Sequence, residues 1–208
     1  MLKAVAESVS RCRGRLSVLL WLPVLLLLSV RSGGAEIKWD RDTLEQSLQL
    51  ELQYLQQLAA TEELIEAVRQ QNAEPQTLAQ LRLLDQTWQA SAASDPLKQT
   101  LLAHPQSQRF AALHKTESHF NEWLLVDAKG GLVAAFPITS DYWQGDEDKW
   151  KKILEDGFDR YVGAKTYDHS SGVNAVQLSV AVKDGDMVIG VLVAGVRLSH
   201  VMMRQIRR

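Results

Sequence analysis

The sequence VNAVQLSVAVKDGDMVIGVLVAGV, residues 173–196, decides how the rest of the chain is interpreted. In its first half, valines and leucines alternate with smaller or polar residues such as Gln177 and Ser179, which is the period of a strand with one buried face. The tetrapeptide KDGD at 183–186 is a typical hairpin turn, and the valine-rich run at 187–196 has the length of a strand. The stretch therefore predicts two antiparallel strands.

A second hairpin is predicted upstream. Segments 121–127 and 131–136 have strand character and flank a Lys-Gly-Gly turn. Between the two hairpins, residues 148–158 predict a short helix that is anchored by Trp150 and Ile153. Four or five antiparallel strands are therefore expected in the second half of the chain.

The first half of the chain has helical character. Residues 43–72 contain no Gly or Pro and are rich in Leu, Gln, Glu and Ala, which predicts one long helix. Its apolar positions recur at spacings of three and four: Leu44, Leu48, Leu52, Leu55 and Leu58. Pro75 ends this helix, residues 77–90 resume the pattern, and Pro96 and Pro105 begin shorter helices.

The order of these elements predicts an α+β class. A helical part at 36–118 is followed by a sheet part at 119–208, and together they form one domain. Hydrophobic residues make up 46% of the 208 residues and charged residues 23%, which is typical of a globular protein. The single cysteine, Cys12, excludes an internal disulfide.

Residues 1–35 have the pattern of an export signal. Four basic residues precede an uncharged apolar run at 16–30, which is shorter than a membrane-spanning helix and is interrupted by Pro23. The small residues Gly33 and Ala35 favour cleavage before Glu36. The alternative is an uncleaved anchor in the inner membrane formed by residues 16–30. Both interpretations place the domain in the periplasm.

The charge balance argues against a nucleic-acid partner. Residues 1–35 hold five of the 23 basic and one of the 25 acidic residues, so 18 basic and 24 acidic residues remain, a net charge of −6. Nucleic-acid binding depends on clustered Lys and Arg that neutralise phosphates. We therefore expect no nucleic-acid binding.

The segment TSDYWQGDE at 139–147, followed by Trp150, combines indoles, a phenol and carboxylates. Flat apolar walls with fixed polar groups are typical of a small-molecule pocket. The alternative is that the tryptophans are packing anchors of the fold. Both interpretations remain open at this point.

Other chemistry has weaker support. A helix-loop-helix calcium site that starts at Asp141 is excluded because its twelfth residue is Lys152 rather than Glu, while a calcium site of another geometry stays open. The five histidines form no short metal-binding pair, so no zinc site and no cofactor is expected. Phosphate-loop and nucleophile-elbow motifs do not occur, so we expect no enzyme activity.

Residues 139–147 with Trp150 resemble the loop signature of the Cache or PDC family, the periplasmic PAS-like sensor domains of bacterial receptors. Segments LIEAV at 64–68, LLVD at 124–127 and VIGVL at 188–192 resemble the same family in the same order. The resemblance implies a long N-terminal helix, a curved antiparallel PAS-like sheet of about five strands, and a pocket between the sheet and the loops that cross it. The candidate ligand-binding residues are Asp141, Tyr142, Trp143, Asp146, Trp150 and Asp168.

The function implied by the resemblance is that of an extracytoplasmic small-molecule-binding sensor subunit. Because the sequence ends at Arg208, shortly after the last strand, the expectation is a sensor without its own output domain that signals through a separate membrane protein. The alternative is a protein-interaction or scaffold module with a vestigial pocket, in which the long N-terminal helix forms a homodimer or partner interface. The ligand is left open.

Overall fold

The computed structural model describes residues 41–168 and 173–206, and the side chains of 41–43, 167–168 and 204–206 are not described. The predicted export segment at 1–35 lies outside the described residues, as does most of the predicted turn at 167–171. In the described ranges, no helix is long and apolar enough to cross a membrane.

The predicted helical stretch at 43–72 is helical, but it is divided. It forms helices α1 (Arg41–Ser47), α2 (Gln49–Ala59) and α3 (Glu62–Ala73). Thr61 has extended backbone angles, φ −75° and ψ 140°, and its hydroxyl donates to the Leu58 carbonyl at 2.8 Å. This bond and the extended residue end α2 and begin α3, and Leu48, with φ −104° and ψ 9°, separates α1 from α2. The prediction of a single long helix is therefore corrected to three consecutive helices.

Three further helices begin where the capping signals predict. They are α4 (Leu78–Ala90), α5 (Pro96–Ala103) and α6 (Pro105–Thr116). Thr77 and Gln80 form a complete capping box at the start of α4. Asp95 accepts a hydrogen bond from the Leu97 amide at 2.9 Å, so its carboxylate satisfies one of the free amides at the start of α5.

The second half of the chain forms a five-stranded antiparallel sheet in the order β2-β1-β5-β4-β3. The strands are β1 (Phe120–Asp127), β2 (Leu132–Phe136), β3 (Arg160–Asp168), β4 (Val173–Asp184) and β5 (Met187–Arg197). Helix α7 (Asp148–Leu154) precedes β3, and α8 (Leu198–Ile206) follows β5. Both predicted hairpins and the α+β class are therefore confirmed. Strand β5 lies in the middle of the sheet, which accounts for its nearly continuous apolar sequence.

The sheet carries a hydrophobic core on each face. Leu125 and Trp123 of β1 face the core formed with α1, α2, α3, α6 and α8. Leu124 and Val126 alternate with them and face the core formed with α4, α5, α7 and the 139–147 segment. The candidate binding residues on that segment therefore belong to the second face.

Gly190 of β5 is required for the close approach of α3 to the sheet. A Cβ atom at this position would lie 2.5 Å from the Val126 carbonyl oxygen and 2.8 Å from a methyl carbon of Val68. Gly190→Ala is expected to lower the free energy of unfolding by about 1–3 kcal/mol, because backbone and helix must move apart. Urea denaturation measures the change. Gly185→Asn is the control: this turn glycine has φ +60° and open space around it, so Asn should cost little there.

Candidate functional site

The segment at 139–147, which we call the aromatic loop, is fixed to the β1–β2 turn by backbone hydrogen bonds. The Gln144 amide donates to the Gly130 carbonyl at 2.7 Å, and the Leu132 amide donates to the Tyr142 carbonyl at 3.3 Å. Gly131 and Trp143 also form an isolated antiparallel bridge. The loop therefore lies against the hairpin as a short extension of it.

Helix α4 packs over the aromatic loop. One carboxylate oxygen of Asp85 accepts hydrogen bonds from the amides of Tyr142, at 2.7 Å, and Trp143, at 3.1 Å. The indole Nε1 of Trp88 donates to the Thr139 carbonyl at 3.0 Å. These bonds join one face of α4 to the loop, so α4 is the outer cover of the site.

Trp143 is wedged between two glycines. Its Nε1 donates to the Lys129 carbonyl at 2.9 Å, and the Arg82 guanidinium lies 4.9 Å from the ring centroid on the outer side. A Cβ atom at Gly145 would lie 2.8 Å from the indole, and one at Gly130 would lie 2.6 Å from the Gly145 Cα. Because Gly130 and Gly145 have no side chains, the β1–β2 turn and the aromatic loop can approach each other closely around the half-buried Trp143 indole.

Tyr142 and Trp150 are buried between the cover and the sheet. Trp150 is 9% exposed and donates from Nε1 to the Asp127 carbonyl at 2.9 Å. The Tyr142 ring lies 5.4 Å from the Trp88 ring, and the side chain is 6% exposed. Both residues pack in the core of this face, which is the packing role that the sequence left open.

A polar cluster lies beneath these rings. Asp127 is 1% exposed, and its Oδ1 accepts hydrogen bonds from the amides of Lys129 and Gly131 at 2.7 and 2.9 Å. Burial raises the pKa of Asp127, and burial together with the nearby Asp127 charge raises the pKa of Tyr142 to about 12. Tyr142 is therefore a neutral phenol at physiological pH, and its hydroxyl is hydrogen-bonded with the Gln71 side chain.

Gln144, two residues after Tyr142 on the aromatic loop, is a third buried polar side chain of this region. Its side chain is fully buried and its Nε2 donates to the Asp141 carbonyl at 3.2 Å. Its Oε1 has no hydrogen-bond partner among the described residues. Sequence reasoning did not single out Asp127, Gln144 or Asp85. For Asp127, the signal was its place two residues before the Lys-Gly-Gly turn at 129–131.

The remaining predicted residues are placed differently. Asp141 is half-buried and accepts a hydrogen bond from the Ser140 hydroxyl at 3.0 Å. Asp146 is exposed, and its carbonyl accepts from the Lys151 ammonium at 2.6 Å. Asp168 ends β3, which is the edge strand opposite β2, so the structure does not bring it to the aromatic loop.

Three cavities lie elsewhere on the molecule, with volumes of about 500, 340 and 210 Å³. The 500 Å³ cavity lies where α7 leads into β3 and is lined by residues that include Lys152, Phe158, Arg160 and Tyr161. None of the three is lined by a residue of the aromatic loop. Because α4 covers the aromatic loop, separation of α4 from the sheet is one route by which a ligand could reach the residues beneath it.

No family model and no curated protein matches this chain. Solved structures with similarity to it include the sensor domain of the V. cholerae histidine kinase DctB, with a TM-score of 0.44 and 11% identity over 77% of this chain and 57% of that chain. The ligand-binding domain of the Pseudomonas aeruginosa amino-acid chemoreceptor PctC, in complex with GABA, has a TM-score of 0.42 and 15% identity over 76% of this chain and 56% of that chain.

The sensory domain of the Campylobacter jejuni chemoreceptor Tlp3, with isoleucine bound, has a TM-score of 0.38 and 13% identity over 78% of this chain and 66% of that chain. This chain thus spans between 56% and 66% of the length of the three structures. They are sensor and ligand-binding domains, the class that the sequence resembles.

The charge of Asp127 is expected to make stability depend on pH. Its pKa is raised in the folded state, so the folded chain binds this proton more tightly than the unfolded chain does. The ionised carboxylate therefore costs stability above the folded-state pKa, and the cost is relieved as pH falls toward the ordinary value of 3.8. Asp127→Asn keeps an oxygen acceptor without the charge. Its melting temperature should equal or exceed that of the parent at pH 7, and the difference should shrink as pH is lowered.

Asp127→Ala is the matched comparison for that variant. It leaves the Lys129 and Gly131 amides without their side-chain acceptor, and it should lower the free energy of unfolding by about 2–3 kcal/mol. Equal stability of the Ala and Asn variants would contradict the capping role of the carboxylate.

Proposed function

We propose that this chain is an exported small-molecule sensor domain whose ligand binds where the aromatic loop and α4 close over the sheet. The observation that carries this proposal is the buried polar cluster of Asp127, Tyr142 and Gln144. Burial of a polar group is costly unless it is hydrogen-bonded, and the Gln144 Oε1 has no partner among the described residues. A ligand that donates a hydrogen bond to this oxygen would remove that cost.

The chemistry of the cluster favours a ligand with an ammonium or other N–H donor group. A carboxylate and an amide carbonyl are acceptors, and Tyr142 adds a neutral hydroxyl. Trp150 and Trp88 provide flat apolar walls for the rest of a small molecule. Of the predicted site residues, Tyr142, Trp143 and Trp150 belong to this site, and Asp141 lies at its margin through its hydrogen bond with Gln144.

Ligand binding would be sensed through α4. A ligand that contacts both the cluster and the loop favours one arrangement of the cover, and this shifts the balance between closed and open forms. Periplasmic location, signalling through a separate membrane protein, and a homodimer through the N-terminal helices stay predictions. The alternative function, a scaffold module with a vestigial pocket, predicts that the cluster binds no small molecule.

The test is a thermal-shift screen with small amines and amino acids. A ligand at 100 times its Kd should stabilise the native state by about 2.7 kcal/mol. Asp127→Asn should weaken binding roughly 10- to 100-fold, since it removes a charge-assisted hydrogen bond worth about 1.5–3 kcal/mol. The variant should remain at least as stable as the parent, so lost binding is distinguished from lost folding.

Phe158→Ala is the control variant. Phe158 is 53% exposed and lines the 500 Å³ cavity away from the loop. Ligand binding that is lost in Phe158→Ala and kept in Asp127→Asn would assign the ligand to that cavity and contradict the proposed site. Stabilisation by no compound in the panel would favour the scaffold alternative.

A further inference from the structure

Two histidines and a glutamate that are far apart in the sequence meet on the other face of the sheet. Glu51 lies on α2, His119 precedes β1, and His200 lies on α8. Their candidate ligand atoms all lie within 4.8 Å of one another. The His200 Nε2 is 3.5 Å from a Glu51 carboxylate oxygen, and the two imidazole rings stack with centroids 4.2 Å apart.

Burial distinguishes this cluster from ordinary surface charge. The Glu51 side chain is only 3% exposed, while His200 remains 36% exposed. A buried carboxylate is stabilised by positive charge close to it, and a bound metal ion supplies such charge. A neighbouring cavity of about 210 Å³ is lined by all three residues together with Tyr54 and Glu117, so there is space for an ion and its water.

The distances suit a divalent transition metal. Two ligand atoms bound tetrahedrally at about 2.1 Å from one ion are roughly 3.4 Å apart. The distance between His200 and Glu51 already has about this value, whereas the stacked imidazole rings would have to rotate to direct a nitrogen each at one ion. Two imidazoles, one carboxylate and an open position form the donor set of many zinc sites.

Glu117 supplies the supporting contact that metal-bound histidines usually have. One of its carboxylate oxygens lies 3.8 Å from the His119 Nδ1. A hydrogen bond there would fix the ring and leave Nε2 to bind the ion. Histidine spacing in the sequence predicts no such site, because its ligands come from three separate elements.

We propose that Glu51, His119 and His200 form a Zn²⁺-binding site that fastens α8 to α2 and to the start of β1. The site lies on the opposite face of the sheet from the aromatic loop, and it is independent of the function proposed above. An ion bound there would hold the helix that follows β5 in one position relative to the N-terminal helices. Bound Zn²⁺ would therefore reduce the mobility of α8 relative to the rest of the domain.

The experiment uses the full chain, purified without a polyhistidine tag and treated with a chelator. Calorimetric titration with Zn²⁺ should show one ion bound per chain, and Zn²⁺ should raise the melting temperature. Substitution with Co²⁺ should give the visible absorption of a tetrahedral site with nitrogen ligands. His200→Gln and Glu51→Gln should each weaken Zn²⁺ binding by on the order of 100-fold, and Glu117→Gln by about 10-fold, as expected for a supporting residue.

His104→Asn is the matched control, because His104 caps α6 away from the cluster and Asn can keep that cap. It should bind Zn²⁺ as tightly as the parent. If a variant at the cluster fails to fold, the Co²⁺ spectrum of the parent still decides the question. Absence of saturable Zn²⁺ binding in the parent, or equal affinity in His200→Gln, would show that the cluster is an ion pair only and would overturn the proposal.

Discussion

Trp150→Ala is expected to lower the free energy of unfolding by about 3–5 kcal/mol, the usual cost of removing a buried aromatic side chain. Trp150 is 9% exposed, packs in the core beneath the aromatic loop, and donates a hydrogen bond to the Asp127 carbonyl. The truncation leaves a cavity and removes one of the two hydrogen bonds to the Asp127 carbonyl, which still accepts from the Gly130 amide at 3.2 Å. Urea denaturation followed by circular dichroism measures the loss.

Trp150→Phe separates the contribution of the buried aromatic ring from that of the indole hydrogen bond to the Asp127 carbonyl. It keeps an aromatic ring and removes the indole hydrogen bond, so it should cost about 0.5–1.5 kcal/mol. Phe158→Ala, at an exposed aromatic position, should change stability by about 0.5 kcal/mol or less. A Trp150→Ala variant as stable as the parent would contradict the packing role of Trp150 in this core.

Much of the fold could be predicted because its signals are local. The alternation in β4 and the Asp-Gly turn after it identify the central hairpin, and the two cores follow from the same period of two. The break at Thr61 was missed because Ala and Thr sit within a strong helical composition. Strand β3 was not separately identified, since an edge strand with mixed exposure has weak alternation.

The candidate site could be predicted only in part. The aromatic loop is recognisable from its composition, but the contacts that hold it are distant in sequence. Asp85 is 57 residues from Tyr142, and the partners of Trp143 and Trp150 are backbone carbonyls, for which the sequence has no signal. The same reason explains why spacing did not reveal the cluster of Glu51, His119 and His200.

Helix α4 is the element whose detachment would open the site, and Trp88 is its main anchor. Trp88 is fully buried, contacts Tyr142, and donates to the Thr139 carbonyl. With Leu81 and Asp85 it forms the face of α4 that meets the loop, while most other positions of the helix are exposed. The packing of α4 against the rest of the domain therefore depends on only these few side chains.

Trp88→Ala is expected to remove about 3–5 kcal/mol of the free energy that keeps α4 closed. Because the core on the opposite face of the sheet contains no α4 residue, the loss should appear as local opening more than as global unfolding. Hydrogen exchange should show faster exchange at residues 78–90 and 139–143, with the amides of β4 and β5 still protected. Leu83→Ala is the control on the same helix, since Leu83 is 64% exposed and its truncation should leave exchange unchanged. Equal loss of protection across the whole sheet would show that α4 is part of one cooperative core, and the proposed entry route through this helix would then be wrong.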